Sequence, residues 1–467
     1  MKKFTFLFLL LLGAVTLCYS QVTVATRRAD GVMLLNGAPF YPNGIYHVSW
    51  YSTNAQMAAD MKLIGQSGFN CVHVGYDGSA FTTAYLDTAF AYGVRVILEG
   101  QIYGTPKAIN VATVNLLKNH PALIGWSIGD DVHNNTTTAQ LQAFHTQMKS
   151  LDPNHLTFFT VYDPNQWNAY FGIGDYIMPY SYPINAGDPL GWVNRQMTLA
   201  RAQNKPMLGL PQAFSWTGNQ AQAPSALEYR NMAYQNLINN VRGMLPYTFT
   251  ESGNTGNYLP ANTGLWNAVK SVNAQINTLK NVFTDGVFTS VNTGYQPYEG
   301  IQSSYWVYNN QLYIVVANLN TSGSINASIT LPPGTTGPAV ALFAGQPTGM
   351  TFNNTTRILS GAVTRRHVHV YRLNKAAMRI ANNLPAETVK TVNNIRVYPN
   401  PVMSQFIIEN VKAGASITVF SAEGKMVHTL KAVRNRELIN VTSWGKGTYF
   451  INIINGKEKT AQEIVIK

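Results

Sequence analysis

Eight short apolar runs recur between Pro39 and Phe283, and amphipathic stretches separate them. The runs read PFYPNGIYHVSWY, GFNCVHVGYDG, GVRVILEGQIY, ALIGWSIGDD, LTFFTVYDP, DYIMPYSYPI, PMLGLPQAFSW and GMLPYTFTESG. Between them, Gln56–Gln66, Thr138–Leu151 and Ser225–Val241 carry apolar residues at helical spacing. Eight buried strands alternating with helices over roughly 250 residues predict an α/β fold, a (β/α)8 TIM barrel. A doubly wound sheet is the rival, but no glycine-rich phosphate fingerprint follows the first strand.

At 467 residues the chain exceeds one ordinary domain. After a barrel at 21–281 the pattern changes to alternating strands such as SSYWVYNNQLYIVVANLN, INASITLPP and RHVHVYRL, which predict a β-sandwich over 282–373. A polar linker, 374–394, follows. Residues 395–467 then read as a small all-β domain of alternating strands.

Lys2 and Lys3 precede an apolar run from Phe4 to Leu17, and Cys18-Tyr19-Ser20 follows. This is the pattern of a secretory signal peptide over 1–20, and the run is short for a membrane span. Cleavage after Ser20 leaves Cys71 as the single cysteine, so no internal disulfide is expected. Cys71 sits in the apolar stretch FNCVHV and reads as a core thiol. A net charge of +12 suggests an acidic partner, yet the basic residues are scattered and no nucleic-acid motif accompanies them. Abundant neutral polar and aromatic residues suit neutral ligands such as sugars. A monomer is expected.

The last segment contains Tyr398-Pro399-Asn400-Pro401, then Phe420-Ser421 with a turn at Gly424, then Lys446-Gly447-Thr448-Tyr449-Phe450. In this order the motifs resemble the C-terminal sorting domain of the type IX secretion system of Bacteroidetes. The resemblance implies engagement of that secretion machinery after Sec export, with release or attachment at the cell surface.

In a (β/α)8 barrel, functional side chains gather at the C-terminal strand ends. That rule selects Asp77, Glu99, Asp130, Asp131, Asp163 and Glu251, with Trp50, Tyr76, Tyr103, Trp126, Tyr162, Tyr180, Tyr182 and Trp216 beside them. Carboxylates among flat rings suit glycoside hydrolysis, which needs two carboxyl groups and surfaces for sugar faces. Asp130 has a second reading as the cap of the helix begun near NNTTTAQLQ. Trp126 reads equally well as core packing, and Glu228 as a helix-surface residue pairing with Arg230 or a neighbouring element. No cofactor is expected: His367 and His369 lack a third ligand for zinc, and no Gly-x-Ser-x-Gly elbow is present.

The segment NHPALIGWSIGDD resembles the fourth strand of the glycoside hydrolase clan that includes the β-galactosidases, and the resemblance extends over most of the barrel. It implies Asp131 as general acid and Asp130 as its substrate-binding neighbour. Two departures stand out. Asp131 is one methylene shorter than the clan's glutamate, and the seventh strand offers Gln212 in place of a glutamate nucleophile. The second carboxylate is then Glu251 or Glu99. Gln212, Asn43, Tyr180, Tyr182, Trp216 and Trp50 are the expected substrate contacts. Three functions stay open, in this order: a secreted glycoside hydrolase acting on an extracellular glycan, a glycan-binding surface protein on a barrel without hydrolysis, and a structural surface or adhesion protein.

Overall fold

The computed structural model describes residues 22–48, 52–75, 79–100, 108–162, 167–251, 256–291, 298–343, 349–376, 395–421, 426–455 and 458–467. The expected signal peptide, most of the expected linker, and Trp50, Tyr76, Asp77, Tyr103 and Asp163 lie outside the described residues. The chain divides into two compact units, 1–378 and 379–467.

The first unit opens with a three-stranded antiparallel sheet, β1 (Ala25–Arg27), β2 (Met33–Leu35) and β3 (Ala38–Phe40). A curled parallel sheet follows in sequence order: β4 (Gly44–His47), β5 (Cys71–Val74), β6 (Arg95–Glu99), β7 (Leu123–Gly129), β8 (Leu156–Val161) and β9 (Tyr176–Pro179). Nearly every residue of these strands is buried, because side chains on both faces meet apolar partners. On β5, Val72 and Val74 join the layer beneath the helices, whereas Cys71 joins Ile97, Ile124, Phe158, Tyr176 and Leu245 inside the curl. Ala25 and Met33 close the bottom of that interior. Burial alone pushes the Cys71 thiol well above its ordinary value, which makes it an inert core group.

The two edges of the sheet are linked through 206–213 and 243–251 by isolated parallel bridges rather than by continuous ladders. Ile177 pairs with Met207, Gly209 and Asn43 with Met244, Gln212 with Tyr247, and Val48 with Glu251. Backbone hydrogen bonds run along all three seams; Leu208 N donates to Ile177 O, Tyr247 N to Pro211 O, and Tyr46 N to Pro246 O. Pro211 and Pro246 have no N–H to give in return, so regular pairing fails at those points. The sequence pattern predicts eight equal strands; the structure forms six and two irregular segments for this reason.

Gly44 marks how closely the ring is drawn. A Cβ there would lie 2.2 Å from the carbonyl oxygen of Cys71 and 2.7 Å from Leu245. Gly44→Ala is expected to lower stability by about 3 kcal/mol, since backbone on the neighbouring strand cannot step aside. Denaturant unfolding of the two proteins measures this directly.

Helices return the chain between strands: α1 (Asn54–Gln66), α2 (Ser79–Ala91), α3 (Val111–Leu117), α4 (Val132–Asn135), α5 (Thr138–Leu151), α6 (Trp167–Tyr170), α7 (Trp192–Arg201), α8 (Ala226–Ile238) and α9 (Thr263–Asp285). Thr137 with Gln140 and Ser225 with Glu228 form reciprocal capping boxes at the starts of α5 and α8. Glu228 therefore caps its own helix, and it also pairs with Arg366 at 3.4 Å rather than with Arg230. Trp126 faces outward from β7 and donates its indole N–H to Asp152 at 2.7 Å, so it packs in the core layer.

Beyond α9 lie two antiparallel sheets. One orders β10 (Val287–Ser290), β11 (Ile301–Tyr308), β12 (Gln311–Asn318), β17 (Val368–Lys375) and β14 (Thr335–Ala341); the other orders β13 (Ile325–Thr330), β16 (Ile358–Val363) and β15 (Met350–Asn353). Strand alternation divides the work. Leu312, Ile314 and Val316 share a core with Ile329 and Leu359, while Trp306, Val315, Ala317 and Val370 join the core of the helical layer. Asn231 of α8 donates to Asn318 O and Arg366 O, pinning this module to the helices.

The second unit holds two antiparallel sheets of its own. They order β18 (Arg396–Tyr398), β19 (Gln405–Glu409) and β22 (Arg436–Asn440), and β21 (Met426–Lys431), β20 (Ser416–Ser421), β23 (Gly447–Asn455) and β24 (Glu458–Ile466). Phe406, Ile408, Ile417, Val419, Ile451 and Ile464 are fully buried between them. No helix among the described residues is long and apolar enough to cross a membrane.

Candidate functional site

The chain leaves β7 through Gly129-Asp130-Asp131 and enters α4. A Cβ at Gly129 would lie 2.3 Å from Val132 Cγ1, so only glycine lets the turn close. Asp131 adopts the left-handed conformation, φ 45° and ψ 49°, a state that Asp tolerates better than most residues. It stands at the N-cap position without capping. The cap of α5 is Thr137 rather than Asp130. Thr160, inward-facing near the end of β8, receives the Asp131 N–H at 2.7 Å and donates its hydroxyl to Asp130 Oδ1 at 2.6 Å. Tyr180, just past β9, donates to Asp131 Oδ1 at 2.6 Å.

Glu251 stands at the end of the eighth segment, across the mouth of the curl. Its Oε1 accepts from the Tyr247 phenol at 2.8 Å and its Oε2 from Asn257 Nδ2 at 2.9 Å. Asn257 also exchanges hydrogen bonds with the backbone of Ser215, tying the loops after both irregular segments together.

Asp130, Asp131, Thr160, Tyr180, Tyr247 and Glu251 line one cavity of about 290 Å³, together with Tyr46, Leu210, Phe214, Ser215 and Trp216. Tyr182 stacks on Tyr180 with centroids 4.4 Å apart and on Tyr247 at 5.5 Å, so three rings bridge the side holding Asp131 to the side holding Glu251. Phe214 and Trp216 meet Tyr182 edge-on. Trp216 is 52% exposed, an unusual cost for an indole and a natural platform at the entrance. Burial, and then the neighbouring carboxylates Asp131 and Glu251, push the phenols of Tyr180 and Tyr247 far above their ordinary value. Both therefore stay protonated and serve as donors.

The structure gathers Asp130, Asp131, Glu251, Tyr180, Tyr182 and Trp216 into this cavity. Three other candidates stand apart. Glu99 is buried at the end of β6, near enough for its charge to act on the Tyr46 phenol, but it does not line the cavity. Asn43 precedes β4, at the opposite end of the curl, where its amide donates to Asn273 O and Asn277 Oδ1 of α9. Gln212 is fully buried. Its Oε1 accepts from Ile184 N and its Nε2 donates to Ile184 O and Phe214 O, so backbone holds the whole amide.

Tyr46, Thr160, Phe214, Tyr247 and Asn257 are the members that sequence reasoning passed over. Thr160 and Tyr247 carried a usable signal, since each lies close before a strand-end acid in FFTVYD and PYTFTE. Among the described residues, no group of three or more His, Cys, Asp or Glu side chains is placed to hold a metal.

Residues 396–467 match the family described as a secretion system C-terminal sorting domain. No curated protein matches the chain. Among solved structures, the debranching enzyme of Nostoc punctiforme is similar at a TM-score of 0.50 and 13% identity, over 72% of this chain and 98% of that one. The noncanonic maltogenic α-amylase AmyB of Thermotoga neapolitana is similar at 0.50 and 10% identity, over 71% and 99%. At such identities the likeness is one of fold.

Proposed function

Because the sorting tail sends this chain through type IX secretion to the cell surface or the medium, and its first unit shares the fold of carbohydrate-active barrels, we propose that it is a glycoside hydrolase acting on an extracellular poly- or oligosaccharide. In this reading 206–213 and 243–251 are strands seven and eight of a closed (β/α)8 barrel. The two sheets after α9 form a β-sandwich accessory domain, and residues 1–20 are the signal peptide.

One observation carries the proposal. Two carboxylates from different strand ends, Asp131 and Glu251, face the same cavity, and a wall of stacked tyrosines runs between them. Both oxygens of Glu251 accept from protein donors, which suits the carboxylate form that a base or nucleophile requires. Asp131 Oδ1 accepts from Tyr180, and among the described residues no hydrogen bond occupies Oδ2, the oxygen assigned to the leaving group. Tyr182 and Trp216 supply faces for sugar rings, and Asp130 accepts from hydroxyls.

The test is reducing-sugar release by the intact chain across plant, algal and microbial polysaccharides. Release is expected from at least one of them, and none from a chain with both Asp131→Asn and Glu251→Gln. Release that survives the double substitution would place the chemistry elsewhere.

The second reading, a glycan-binding protein, draws on Gln212. If 206–213 is read as the seventh strand, Gln212 stands where the resembled clan carries its nucleophile, and its amide is held by backbone. Selective glycan retention without turnover of any substrate would favour it.

A further inference from the structure

Resting on that reading of the cavity as a sugar site, we infer that Tyr162 is a further binding platform, for the sugar on the leaving-group side of the cleaved bond. The substrate is then a chain gripped on both sides of Asp131, rather than one terminal sugar on a small aglycone.

Strand phase puts Tyr162 at the mouth. On β8, Phe158 joins the interior of the curl, Phe159 and Val161 join the layer beneath the helices, and Thr160 lines the cavity. Tyr162 follows one residue past the strand, in the same phase as Thr160 and one step farther out. Its ring lies 5.9 Å from that of Tyr180, centroid to centroid, and His133 of α4 meets it edge-on at 4.5 Å. A continuous row of rings therefore runs from Trp216 through Tyr182 and Tyr180 to Tyr162. The row is open at its ends. Trp216 is 52% exposed and Tyr162 47%, whereas Tyr180 and Tyr182 between them are more covered. A lone exposed ring needs no ligand to explain it. A ring braced by a neighbour and continuous with a cavity wall is different, because its flat face is already fixed and binds a sugar face at little cost in side-chain entropy.

Asp131 divides the row. Tyr180, which donates to Asp131, stands between Tyr182 and Tyr162. On the Tyr182 side lie Trp216, Tyr247 and, through the Tyr247 phenol, Glu251. The sugar whose anomeric carbon is attacked belongs on that side. The oxygen that Asp131 protonates, and the sugar that departs with it, lie toward Tyr162.

The experiment measures binding by the full chain with Asp131→Asn to gluco-, manno-, galacto- and xylo-oligosaccharides of one to six units. In the series it takes, affinity is expected to rise with length. Adding Tyr162→Ala should weaken the longer members by about tenfold and leave the monosaccharide within about twofold. Tyr162→Phe should keep the gain, since the ring face and not the phenol does the holding. Turnover by chains that keep Asp131 then gives the direction. With a hexasaccharide labelled at its reducing end, Tyr162→Ala should shift the label toward shorter fragments, because binding modes that place fewer units beyond the cleaved bond are then favoured. Equal loss for short and long members, no loss for either, or a shift toward longer labelled fragments overturns the inference and leaves the hydrolase standing wherever turnover is seen. A length-dependent affinity that Tyr162→Ala abolishes, without turnover of any member, keeps Tyr162 as a chain-binding ring and overturns the hydrolase. Neither binding nor turnover overturns both.

Discussion

On the proposed reading, Asp131→Asn is expected to lower turnover of ordinary glycosides by about 10²–10⁴-fold but to leave aryl glycosides with strongly acidic leaving groups within about tenfold of the intact protein. The reason lies in the role proposed for each carboxyl. A sugar alkoxide leaves only if its oxygen is protonated, so the acid is indispensable; a nitrophenolate leaves unaided. Glu251→Gln lowers turnover of both substrates, because attack on the anomeric carbon, by Glu251 or by a water it activates, is needed whatever departs. Steady-state rates of the three proteins on both substrates separate the roles. If Glu251→Gln spares the aryl glycoside while Asp131→Asn does not, the assignments are exchanged. If neither substitution changes either rate, the pair is not catalytic. Glu99→Gln serves as the comparison, since Glu99 is buried off the cavity and is not expected to discriminate between leaving groups.

Asp152→Ala destabilises the first unit by about 3–5 kcal/mol, the cost of breaking a buried charged pair from one side. Asp152 Oδ2 accepts from Trp126 Nε1 at 2.7 Å and lies 2.6 Å from His155 Nδ1, with both members of the pair almost fully buried. Its removal leaves an indole N–H and an imidazole without partners beneath the helices. The pH dependence follows from the same geometry. Burial pushes the Asp152 carboxyl up, but the hydrogen bond and charge of His155 and the Trp126 N–H outweigh it and hold the group below its ordinary value. A carboxyl depressed in the folded state contributes stability that is complete above its unfolded value of about 3.9 and is lost as pH falls through the lower folded value. Thermal unfolding from pH 7 to pH 2.5 should therefore show part of the acid sensitivity vanishing in Asp152→Asn. A variant as stable as the parent, with the same pH profile, would show that the pair contributes nothing.

Several site residues were legible because one rule, that barrel chemistry sits at C-terminal strand ends, converts position in a run into position in space. It selects Asp130, Asp131 and Glu251 from a chain poor in acids, and Tyr180, Tyr182 and Trp216 beside them. The same rule misplaces Asn43, because PFYPNGIYHVSWY is longer than its strand. The strand itself is only Gly44–His47, which puts Asn43 just before its start, at the far end. Gln212 shows a different blindness. Nothing in PMLGLPQAFSW reveals that Ile184, 28 residues earlier, would take up its amide.

The pattern of strands, helices and turns, the sorting motifs of the tail and the stock of acids and aromatic rings are properties of the sequence alone. They arise from period, spacing and composition, which are local. The tertiary structure decided which of these groups meet. It set Asp131 and Glu251 on one cavity, paired each with a tyrosine, left Glu99 outside, and turned the seventh and eighth runs into irregular segments where proline lacks an N–H. Those outcomes depend on the inward or outward phase of each strand and on partners far away in the chain. Such long-range geometry exists only once the sheet has curled and the helices have packed around it.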